Sequence, residues 1–154
     1  MSETTIRAGI VDAINNIADT GNVYGFIPWA AAQDVHLDFF KVSLAGYTQA
    51  FRGFTVSCTS IAKSGTVTGD ATSNGTSTFT FVVRGFHAIE GNGEDSETDF
   101  LGVVISVMDE LDQTNLTRFP RDKSQLVYGP DMIGNVLCHV AEITLNNIRE
   151  ESAC

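Results

Sequence analysis

The residues in this chain with side chains suited to nucleophilic or metal chemistry are few, and one cysteine stands directly beside one histidine. They are Cys138 and His139, in "GNVLCHVAEITL", residues 134–145. A thiol touching an imidazole makes a nucleophile with its base, or half of a zinc site. The run is apolar and β-favouring, however, and successive side chains of a strand leave opposite faces of the sheet. The pair is therefore expected to split, with Cys138 as a small buried hydrophobe and His139 as a satisfied or partly exposed polar residue. For Cys138 to act as a nucleophile, the fold would have to bring His36 or His87 to it. Cys58, Cys138 and Cys154 are odd in number and widely spaced, which gives neither a disulfide framework nor a CxxC motif. A reducing cytoplasm fits that usage.

The acidic run Glu90, Glu94, Asp95, Glu97 and Asp99 lacks the alternating oxygen ligands and central glycine of a calcium loop. It fits better as carboxylates in the first turn of a helix. Arg118, Arg121 and Lys123 form the only locally basic loop, either a contact for a protein or DNA partner or a solvated turn. Tyr24 and Trp29 are candidate interface anchors, with packing the equal alternative. There is no GxGxxG opening a helix, no Walker loop, no GxSxG and no HExxH. The expectation is a protein that is not an enzyme, with no catalytic residue, cofactor or metal.

At 154 residues, 43% hydrophobic, the chain can close one core and is read as a single domain, 1–154. Nine Lys and Arg against 19 Asp and Glu give a formal charge of −10, opposite to the footprint of a protein that grips nucleic acid. No apolar run approaches the length of a membrane span, and the first residues lack the pattern of a secretory signal. The expectation is a chain that stays where it is made, with no membrane partner.

The spacing of Ile6, Ile10, Ile14 and Ile17 predicts an amphipathic first helix, capped at Gly21. "NVYGFIPWA" reads as a short strand at a sheet edge, broken by Gly25 and Pro28; "DVHLDFFKVSL" fits either a short helix or extended chain. Alternation in "FRGFTVSCTSI" and "STFTFVVRGFHAI" predicts two half-buried strands. The Gly-, Thr- and Ser-rich residues 63–77 between them form a long flexible hairpin arm or loop carrying Val67, with a turn at Asn74-Gly75. A second helix follows, with a capping box of Ser96 and Asp99 and an apolar face of Phe100, Val104, Val107, Met108 and Leu111, flanked by Leu101 and Ile105. "QLVYG" is a short strand, "PDMIG" a turn, and the last strand starts at Asn135, leaving 146–154 as a C-terminal tail. The order predicts an α+β fold, a mainly antiparallel sheet packed by two helices.

Several of these segments, in this order, resemble the tail terminator (tail completion, or minor tail) proteins of long-tailed bacteriophages. They are the first helix with "GNVYGFIPW", then "FRGFTVSC", then "FTFVVRGFHAIEGNGEDSETDFLGVVISVMDEL", and last "GNVLCHVAEITL". The chain departs from that pattern at Phe54, where tryptophan is more usual, and in the long threonine-rich arm. The resemblance implies a virion protein, present in the host cytoplasm during assembly. It would form a ring, usually a homo-hexamer, on the head-proximal end of the tail tube. There it stops tube polymerisation and meets the neck or head-completion proteins. It implies no cofactor. Tyr24, Trp29, Val67, Asn74, Arg118, Arg121 and Lys123 are the interface candidates. DNA would pass through the lumen without specific binding, and six copies carry roughly −60 of formal charge to repel it. The competing expectations are a tube or neck protein of related fold, an acidic module for a basic partner, or a thiol hydrolase built on Cys138 or Cys58.

Overall fold

The computed structural model describes residues 3–27, 39–43, 50–65, 75–89, 92–117 and 121–152. They hold helices α1 (Glu3–Asn15) and α2 (Glu94–Gln113), and strands β1 (Asn22–Tyr24), β2 (Lys41–Val42), β3 (Ala50–Ser64), β4 (Gly75–Ala88), β5 (Gln125–Ile133) and β6 (Val136–Ser152). The sheet order is β1-β3-β4-β6-β5, with β2 also on β3. Among the described residues, only the β1–β3 pair is parallel. This is a single α+β domain, an antiparallel-dominated sheet with two helices packed on it. Among the described residues, no helix is long and apolar enough to cross a membrane.

The helices form because their apolar residues recur at helical spacing and find the same face of the sheet. Ile6, Ile10 and Ile14 of α1, and Phe100, Val104, Val107 and Leu111 of α2, are all buried. They meet Phe54, Val56, Phe81, Val83, Ile143 and Leu145, which come from alternate positions of β3, β4 and β6. The other face carries a smaller core of Phe40, Phe86, Ala88, Ile133, Cys138 and Val140.

Two glycines are fixed by close approach. A Cβ on Gly85 would lie 2.4 Å from the Phe54 ring, so the bare backbone is what lets that ring lie flat across β4. Gly21, at φ 78°, would bring a Cβ within 2.3 Å of the Arg52 carbonyl oxygen. Its role is this crossing of β3, rather than capping α1, which ends six residues earlier at Asn15.

One expectation is met and three further ones need correction. Residues 63–64 and 75–77 lie in β3 and β4, with Lys63↔Ser77 and Ser64↔Thr76 paired, so of the two alternatives for this stretch, arm or loop, the hairpin arm holds at both of its ends. Residues 146–152 are no tail, because β6 continues to Ser152 and its residues 149–152 pair with Gly75–Thr78. "PDMI" continues β5, and the chain reverses at Gly134-Asn135; Pro130 is tolerated because β5 is an edge strand. Finally, α2 begins at Glu94 after Gly93, so Ser96 and Asp99 lie inside the helix and form no capping box.

Candidate functional site

Alternation divides Cys138 from His139 as strand geometry requires. Cys138 is fully buried in the smaller core, where burial pushes its thiol up to about 11, far from a reactive thiolate. His139 leaves by the opposite face and lies under α2. His87 is directly across from His139, with ring centroids 6.5 Å apart, so it too is on the face away from Cys138. His36 and Cys154 lie outside the described residues. Cys58 is half-buried, and burial raises its thiol as well.

Beneath α2 the structure instead assembles a polar layer. Arg52, 1% exposed, donates Nη2 to Asp99 Oδ2 at 2.5 Å, Nη1 to the Asp19 carbonyl at 3.0 Å and Nε to His87 Nδ1 at 3.3 Å. One guanidinium thus ties β3 to α2, to the α1–β1 connection and to β4. Burial, and then the adjacent Arg52 charge, lower the His87 pKa to about 4 and keep the ring neutral.

Ser96 Oγ lies 2.9 Å from His139 Nε2 and also donates to the Gly93 carbonyl at 3.2 Å. A hydroxyl has one proton, so the two bonds coexist only when His139 Nε2–H donates to Ser96. That tautomer has no lone pair on Nε2 to take the serine proton, and Ser96 is 1% exposed. The pair holds the first turn of α2 to β6 and is not set up as a nucleophile and base.

Beside this layer an open cleft of about 870 Å³ lies between the start of α2 and the β5–β6 hairpin, lined by Glu94, Glu97, Tyr128, Pro130, Leu137 and His139. Among the described residues, no three His, Cys, Asp or Glu side chains are arranged to hold a metal ion.

Of the interface candidates, Trp29, Val67, Asn74 and Arg118 lie outside the described residues. Tyr24 turns inward, donating its hydroxyl to the Phe39 carbonyl at 2.8 Å and meeting Phe39 and Phe40 edge-on. Arg121 donates to the Leu111 carbonyl and pairs with Asp112 at 3.6 Å, closing the C-terminal end of α2. Lys123 is exposed.

The extended surface features lie elsewhere. β1 and β2 cover β3 only along residues 50–55, and among the described residues no strand pairs with the outer edge of Val56–Ser64. β5 forms the opposite boundary of the sheet, and its outer edge is likewise unpaired along Gln125–Ile133. Exposed apolar side chains sit at both boundaries: Ile61 on β3, Val127 and Met132 on β5.

A scan against protein-family models finds no match, and a search of curated proteins finds none either. The class labels that the resemblance carried are therefore withdrawn. Bacteriophage, virion, viral tail assembly, tail terminator, minor tail protein, neck, hexameric ring and structural protein are attached to no matching family or relative.

Sequence reasoning missed Arg52 and Tyr128, and gave Ser96 and Asp99 a capping role in place of their contacts with His139 and Arg52. The available signal was parity. Arg52 shares a strand face with Phe54 and Val56, so a charge stood on the buried side and needed a partner.

Proposed function

We propose that this protein works by assembly. Copies join into a closed ring that caps the end of a protein tube, stops addition of further tube subunits and offers a new surface to a joining protein. The observation that carries this is a sheet that, among the described residues, is left unpaired at both boundaries. Such boundaries are templates for strand addition, and two different ones on a single molecule make a head-to-tail contact that can close. The partners are then a second copy, the tube subunit and the joining protein. With −10 on each copy, nucleic acid passes through the ring rather than binding to it.

The test is electron microscopy of assemblies from cells in which the gene has been removed and then restored. Overlong, unjoined tubes that regain their length and attachments on restoration would support the reading. Joined tubes of normal length without the gene would sink it.

A second reading has one observation in its favour. α2 carries seven acidic residues and no basic one; Asp99 and Asp112 are held by Arg52 and Arg121, and the other five leave a face suited to a basic protein partner. That contact would weaken steeply with added salt.

A further inference from the structure

The two open boundaries are guarded in a way that leaves one matching segment on each. On β3, a bulge at Thr59 interrupts the ladder between Cys58 and Ser60, leaving Ser60–Ser64 regular beyond it. On β5, Pro130 removes a donor, leaving Gln125–Gly129 intact before it. Bulges and prolines at edges discourage promiscuous pairing. Here they trim each edge to five residues and so restrict the registers in which a partner strand can lie.

Direction and face also agree. β3 runs opposite to β4, β4 to β6 and β6 to β5, so β3 and β5 are antiparallel. A neighbour placed beyond β5 in the same orientation brings its β3 alongside β5 as an antiparallel strand, without turning its helices to the other side. On β3, Ile61 is paired with Phe79 and so faces the helix side, as Leu126 and Tyr128 do on β5. Ile61 is 53% exposed within one copy. The neighbour's Leu126 or Tyr128 would cover it as a cross-strand partner.

We propose that copies of this protein join through antiparallel pairing of Ser60–Ser64 of one copy with Gln125–Gly129 of the next. This rests on the ring reading above and names the surfaces that make the ring. It also fixes a geometry. Residues 125–129 lie level with residues 53–57 of their own β3, so each copy is displaced by about seven residues, roughly 23 Å at the usual strand rise. Four strand spacings separate successive β3 strands, roughly 19 Å. A ring then closes only with strands inclined by roughly 50°, slightly above the 35–45° of closed barrels.

The experiment places cysteines across the join in a Cys58→Ser, Cys154→Ser background. Ile61→Cys is combined with Tyr128→Cys in one variant and with Leu126→Cys in another, and each is oxidised with copper phenanthroline. Within one copy these positions lie at opposite boundaries of the sheet, too far apart to bridge, so any bond formed is between copies. A ladder of linked chains in either variant, absent from an Ile61→Cys, Thr98→Cys control, is the expected result. Ile61→Asp, at an exposed position, should abolish the oligomer without altering the monomer's far-UV spectrum. Native mass spectrometry of the unaltered chain reports assembly separately. A closed oligomer with no ladder would overturn this join and leave the ring reading standing. A monomer with no ladder would also overturn it, and the tube-length experiment then decides the ring reading alone.

Discussion

At the scale of single residues, the polar layer under α2 makes the fold sensitive to acid. His87 is held neutral with a pKa of about 4, against 6.5 when unfolded. Between those values the unfolded chain binds more protons than the folded one, so stability rises with pH through that window and levels off above 6.5. The full effect is roughly 3 kcal/mol between pH 7 and pH 4. Burial lowers the His139 pKa too, adding to the effect with the same sign. Urea midpoints at pH 7 and pH 5 should therefore differ clearly, and by less in His87→Gln; an unchanged difference would refute the assignment. Cys138→Ser should cost only about 1–2 kcal/mol, as a polar atom placed in a small core, and native Cys138 should resist thiol reagents that label Cys58. The split of Cys138 from His139 was legible because it needs only strand alternation. The Arg52–Asp99 and Ser96–His139 contacts were not, since each depends on the position of α2 over the sheet, which local periodicity leaves open.

At the scale of elements, packing decided what composition left open. The two helices were legible because their apolar stripes are long and regular, and both landed on the sheet face that the stripes require. The hairpin was left open between arm and loop because threonine and serine suit either, and the deciding factor is a third strand, β6, lying more than 60 residues away in sequence. Within the hairpin the tightest point is Gly85 under Phe54. Gly85→Ala forces that ring out of the core, and a loss of about 2–3 kcal/mol is expected in chemical denaturation, the usual cost of overpacking. Pairing Gly85→Ala with Phe54→Leu should recover part of the loss, because the smaller side chain vacates the space. If the double variant were merely the sum of two separate losses, the contact would not be the cause.

At the scale of the whole molecule, charge separates the two functional readings by sign. Every copy carries −10, so copies approaching to form a ring repel one another, and the repulsion is strongest where salt is lowest. Raising ionic strength from about 0.01 M to about 0.15 M shortens the screening length from roughly 30 Å to roughly 8 Å. Edge-to-edge pairing, made of backbone hydrogen bonds and apolar contacts such as Ile61, is little affected at its own short range, while the longer-range repulsion is removed. Self-association should therefore strengthen with salt, on the order of tenfold over that range, as read by sedimentation equilibrium. An acidic face that works by holding a basic partner must behave in the opposite way, because the same salt screens an attraction. Assembly also ties stability to concentration: a ring that only folded chains can join raises the melting temperature as protein concentration rises. Association that strengthens with salt, with a melting point that climbs with concentration, would place the function in the sheet edges. A salt-weakened contact with a basic protein, and a melting point independent of concentration, would move it to α2.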